Sequence, residues 1–82
     1  LLFRPRREHV AGTLAELPAG GFGVVERIEG DPALPARLTA QGLAPGVAVH
    51  VLQRTPTFVI ELGETTIALE RRVAEALKLK QS

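Results

Sequence analysis

Ala44-Pro45-Gly46-Val47-Ala48-Val49-His50-Val51-Leu52 begins with a turn and continues as a strand. Pro followed by Gly suits the two central positions of a type II turn, the glycine supplying the positive φ. Val47, Val49 and Val51 then fall on one face and Ala48, His50 and Leu52 on the other, the period of a half-buried strand. After Thr55-Pro56 the pattern returns in Phe58-Val59-Ile60-Glu61-Leu62, with Phe58, Ile60 and Leu62 on one face. Gly63-Glu64 suits a two-residue hairpin with glycine first, the type II′ preference, and Thr65-Thr66-Ile67-Ala68-Leu69 is the return strand.

Upstream, Gly30-Asp31-Pro32 predicts a helix start with Asp31 as N-cap and Pro32 at the first helical position. Leu34 and Leu38 share a face, Arg37 and Gln41 take the wet side, and Gly42 is placed to end the helix in the left-handed conformation. Leu43 can then pack back on the last turn. Further upstream, Phe22-Gly23-Val24-Val25-Glu26-Arg27-Ile28 reads as a strand of imperfect phase. Phe22, Val24 and Ile28 share one face, and a bulge near Gly23 or Glu26 is needed to reconcile Val25 with it. Downstream, Glu70 to Leu77 reads as a helix, and Leu79-Lys80 as a last short strand or a frayed end. Five short strands, tight turns and two short helices predict a mainly β fold closed as a small barrel.

The chain has 82 residues, enough for one domain. Residues 1–12 are expected to form a basic, solvated arm and residues 13–82 the barrel. Three arginines against Glu8 give residues 1–10 a local balance of +2, while the chain as a whole carries only +1. That charge, with three phenylalanines and no Trp or Tyr, disfavours a nucleic-acid surface built on a basic face or on stacking platforms. No apolar run approaches the roughly 20 residues a membrane span needs, and no signal peptide is evident. A cytoplasmic setting is therefore expected, without membrane insertion. The chain begins with Leu1 rather than Met, as expected if residues precede it or if it is a piece of a longer chain.

No catalytic constellation is expected. Cysteine is absent, the single serine is terminal Ser82, and no Gly-x-Ser-x-Gly elbow occurs. Gly20-Gly21-Phe22-Gly23 precedes a strand rather than a helix and lacks the Lys of a phosphate loop. His9 and His50 have no partner at a metal-ligand spacing, and His50 reads as a barrel-rim residue. Glu61, Glu64 and Glu70 lie around a hairpin, where solvated carboxylates are ordinary. No cofactor and no metal ligand is assigned. What remains is a binding module whose best surface is the early helix and its exit, Arg37 through Leu43, with Arg71 and Arg72. The competing reading pairs those last two with Glu70 and Glu75 on a solvated face.

These residues resemble the FeoA family. Thr13-Leu14-Ala15-Glu16-Leu17-Pro18-Ala19-Gly20 is similar to its opening and Gly23 to Ile28 to its first strand. Leu34, Arg37, Leu38, Gly42-Leu43-Ala44-Pro45-Gly46, Val49 and Val51-Leu52 form the most specific block, and Ile67 to Leu77 is similar to the last strand and helix. The resemblance spans roughly residues 13–80. It implies an SH3-like barrel that serves ferrous iron uptake by contacting a FeoB-type transporter, a membrane permease with an intracellular GTPase domain. The same barrel closes iron-dependent transcriptional repressors, so a repressor C-terminal domain is the alternative. The stretch Arg54-Thr55-Pro56-Thr57-Phe58 departs from the family by lacking a Gly-Asp-Pro. Arg37, Leu43, Arg71 and Arg72 are the expected partner contacts. The resemblance implies iron-linked biology, yet with imidazole and thiolate ligands so scarce the domain is not expected to bind ferrous iron tightly by itself. Whether it activates or restrains the transporter, and whether it self-associates, is left open by the sequence.

Overall fold

The computed structural model describes residues 12–80, so the expected arm, with His9, lies outside the described residues apart from Gly12. A 3-10 turn at Leu14–Glu16 leads into β1 (Phe22–Ile28), α1 (Leu34–Ala40), β2 (Ala48–Gln53), β3 (Phe58–Leu62), β4 (Thr65–Leu69), α2 (Arg71–Ala76) and β5 (Leu77–Leu79). The five strands form one antiparallel sheet in the order β4-β3-β2-β1-β5. β1 serves both halves of it. Phe22 to Val24 pair with β2, while Val25 to Ile28 pair with β5. The inward residues of all five strands, with those of the 3-10 turn and the helices, make one core.

The β2–β4 region forms as the sequence predicts. Val49 and Val51 are buried, as are Phe58, Ile60 and Leu62. Gly46 has φ +93° and the Val47 N–H donates to the Ala44 carbonyl at 3.1 Å, closing the Pro-Gly turn. Gly63 has φ +59°, and the hairpin pairs Leu62 with Thr65 across two residues. At the end of α1, Gly42 sits at φ +94° and the Leu43 N–H donates to the Leu38 carbonyl at 2.9 Å, the wrap-back that ends a helix on a left-handed residue.

Three expectations are corrected. The inward face of β1 carries Gly23 and Val25, not Phe22 and Val24. Val25 is fully buried, whereas Phe22 is 69% exposed. Position 23 is tight: a Cβ there would lie 2.9 Å from Leu79 Cδ1, so a larger residue would have to displace the Leu79 side chain. The anticipated bulge lies between Val25 and Arg27, at Glu26, and it returns Ile28 to the core side. Second, α1 begins at Leu34 rather than Pro32. Asp31 Oδ1 accepts from the Ala33 N–H at 2.8 Å, so its carboxylate shapes the turn before the helix, and Pro35 falls in the first turn.

Third, Leu77 is not helical. α2 stops at Ala76, and Leu77 starts β5, whose two leucines are buried. β5 is held on both sides. Lys80 N–H donates to the Val24 carbonyl at 2.8 Å, and Leu79 N–H donates to the Gly12 carbonyl at 3.0 Å. A segment that reads as a fraying end is thus a strand of the sheet, paired with β1 on one side and met by Gly12 and Thr13 on the other.

Candidate functional site

The two helices lie on either side of an open cleft of about 420 Å³. Its apolar wall includes Leu34 and Leu38 from α1, Leu69 from β4, and Val73 and Ala76 from α2, and its rim carries Glu29, Asp31, Arg37, Glu70 and Arg72. Local rules set this arrangement. Leu34 and Leu38 turn one face of α1 to the core and leave Arg37 in water. In α2, Ala74 is fully buried, so Arg71 and Arg72 splay to different sides. Just after β1, the Glu29 N–H donates to the Ala76 carbonyl at 2.8 Å and ties the exit of β1 to the end of α2.

The rim charges are of two kinds. Glu29 accepts from Arg27 Nε at 2.6 Å and lies 3.8 Å from Lys78 Nζ. The hydrogen bond from Arg27 is the main cause that holds its carboxyl below the ordinary value of 4.5; the Arg27 and Lys78 charges add to it and partial burial opposes it. Arg72 Nε donates to Glu70 Oε1 at 3.2 Å, an exposed pair. Arg37 differs. Among the described residues no carboxylate lies within ion-pair distance of it. An exposed cation at the rim of an apolar wall can take an acidic side chain of another protein without first breaking a pair of its own.

The expected contact residues separate accordingly. Arg37 and Arg72 meet at one cleft although 35 positions divide them in sequence. Arg71 does not line it; its guanidinium lies 5.6 Å from the Phe58 ring centroid and 3.9 Å from Glu75. Leu43 is fully buried and has no surface to offer a partner. Its role is to fix the exit of α1, because the left-handed turn at Gly42 drives the next apolar side chain inward.

A second exposed group escaped the sequence pattern. Phe22 stacks on His50 with ring centroids 4.0 Å apart and planes 3° from parallel, and His50 Nδ1 lies 3.3 Å from Glu61 Oε1. The outward alternation of His50 was visible; the outward turn of Phe22 was not, since it depends on Gly23 facing Leu79. Among the described residues no cluster of three His, Asp or Glu side chains is placed to hold a metal ion, and no helix is long and apolar enough to cross a membrane.

Comparison with known proteins gives three findings. The FeoA domain family matches residues 12–81. No curated protein sequence matches the chain. Solved structures are similar. A crystal structure of the iron uptake regulatory protein FeoA superposes with a TM-score of 0.77 at 26% identity, covering 84% of this chain and 93% of that one. Stenotrophomonas maltophilia FeoA, an SH3-domain protein crystallised with zinc, gives 0.72 at 27% identity, covering 85% and 91%. T. acidophilum IdeR gives 0.75 at 17% identity over 85% of this chain and 33% of its own, a likeness of fold alone. The mainly β architecture, with five antiparallel strands and two short helices, is therefore SH3-like.

Proposed function

Because the chain belongs to the FeoA family, we propose that it is a non-catalytic accessory of ferrous iron uptake that regulates a FeoB-type transporter by contact from the cytosolic side. FeoA-family domains are small accessory proteins. For the Stenotrophomonas maltophilia member a role as a ferrous iron transport activating factor has been suggested. The observation that carries the contact surface is the cleft between α1 and α2, where Arg37, unpaired among the described residues, stands with Arg72 at the rim of an apolar wall. Apolar burial with a charged rim is the common anatomy of a protein contact. Arg71 belongs to a neighbouring face and contributes little, and Leu43 acts only through the shape of α1.

The test is capture of the transporter from native membranes by residues 1–82, identified by mass spectrometry. Arg37→Glu with Arg72→Glu should lower capture by at least about tenfold, since both changes set like charges against an acidic partner surface. Arg71→Glu should leave it nearly unchanged. A wild-type domain that captures no transporter overturns this reading, and a repressor C-terminal domain then takes its place. The likeness to IdeR supports that second reading as far as the fold goes.

A further inference from the structure

We propose that the edge of β4, unpaired among the described residues, is a strand-addition site for an extended partner segment of seven residues, neutral through its five central positions and basic at both ends. The site does not depend on the transporter being the partner. β4 is the outermost strand on its side of the sheet, and its register with β3 runs unbroken from Leu62↔Thr65 to Phe58↔Leu69. In a two-residue hairpin the closing residues exchange hydrogen bonds, and the pattern then alternates. Thr65, Ile67 and Leu69 therefore spend their main-chain groups on β3. Thr66 and Ala68 turn theirs outward, and both residues are exposed.

The two edges of the sheet are treated differently. β5 is three residues long, follows directly on a helix, and is met on its far side by Thr13, which bridges Lys78, and by the Gly12 carbonyl. β4 is five residues, Thr-Thr-Ile-Ala-Leu, with no proline, glycine, charge or bulge. Native sheets blunt their edges with one of those devices. β4 has none within its span, and acidic residues, Glu64 and Glu70, stand exposed just beyond each end.

Those two glutamates select the occupant. The outward groups of Thr66 and Ala68 would let a second copy pair antiparallel about Ile67. That register sets Glu64 opposite Glu70 of the second copy, twice, and like charges directly opposite are unfavourable. The same positions favour a foreign strand with Lys or Arg at its first and last residues. Glu70 is held meanwhile by Arg72 at 3.2 Å, a pair exposed enough on both sides to be exchanged at small cost. The C-terminal part of the edge, Ala68 and Leu69, also forms part of the cleft wall beside Leu34 and Leu38, so an added strand lies along apolar surface.

The experiment is a titration of ¹⁵N-labelled residues 1–82 with the synthetic peptide Lys-Thr-Val-Thr-Val-Thr-Lys, followed by amide NMR. The Thr66 and Ala68 amides should shift and exchange more slowly. The peptide with Glu at both ends should bind at least about fivefold more weakly. N-methylation of its third and fifth residues, which face β4, should abolish the response. Ala68→Pro removes an outward N–H without touching the β3 ladder, so it should also abolish the response while the rest of the spectrum persists. Three results overturn the proposal: no shift at Thr66 and Ala68 at millimolar peptide, equal binding of Lys- and Glu-ended peptides, or concentration-dependent shifts of these amides without peptide, which give the edge to a second copy.

Discussion

Ending the chain at Ala76 should leave it unfolded. The deletion removes Leu77 and Leu79, both buried, and strips β1 of the partner along Val25 to Ile28. Truncating a buried leucine to alanine costs about 2–5 kcal/mol, so two lost outright amount to roughly 4–10 kcal/mol. A chain of this length holds about 4–12 kcal/mol in all. Gly23 makes the loss worse, because the inward side of β1 at that point is filled by Leu79 rather than by a side chain of its own. Far-ultraviolet circular dichroism and a urea titration read the outcome. A cooperative transition near that of the full chain would show that β5 is dispensable.

Phe58→Ala should have the next largest effect. Phe58 is 1% exposed and is the largest completely buried side chain among the described residues. Its ring is overlain by two guanidinium groups, with Arg54 Cζ at 5.4 Å and Arg71 Cζ at 5.6 Å from the centroid. Removing a buried phenylalanine costs about 3–5 kcal/mol in transfer energy and unfilled space. The cation–π contacts go with it, and Arg54, which reaches the Ala15 carbonyl at 2.6 Å, loses the surface on which it rests. Most of the domain's stability should disappear in urea unfolding. A loss below about 1 kcal/mol would mean that the neighbouring leucines collapse into the space.

What the sequence disclosed and what it hid divide along a physical line. The Pro-Gly turn, the Gly63-Glu64 hairpin and the stop at Gly42 are set by backbone conformations that a few adjacent residues fix, and each is found where its residues place it. β2, β3 and β4 alternate cleanly because each has one core face. β1 misleads because its inward position 23 is a glycine, so the apolar Phe22 points to water and no periodicity records it. β5 is too short to show a period, and only its pairing with β1 makes it a strand. Leu43 was readable as packing back after Gly42, and it does so completely, which removes it from the contact surface on which the exit of α1 had placed it.

The site was legible in part for the same reason. Arg37 was placed on the wet side of a helix by the spacing of Leu34 and Leu38 alone. That it shares a cleft with Arg72 and not with Arg71 follows from which side of α2 packs inward, fixed by Ala74 at full burial. Alanine carries too weak an apolar signal to declare that face in advance. The stack of Phe22 on His50 likewise needs β1 and β2 in register, with Phe22 opposite His50.

The most direct test of the account is hydrogen–deuterium exchange of residues 1–82, alone and with a FeoB-type transporter held in lipid nanodiscs. The cleft reading predicts slower exchange across residues 29–41 and 68–76, the segments that supply its walls and rim. Exchange unchanged in both segments, or slowed only around Phe22 and His50, would contradict it.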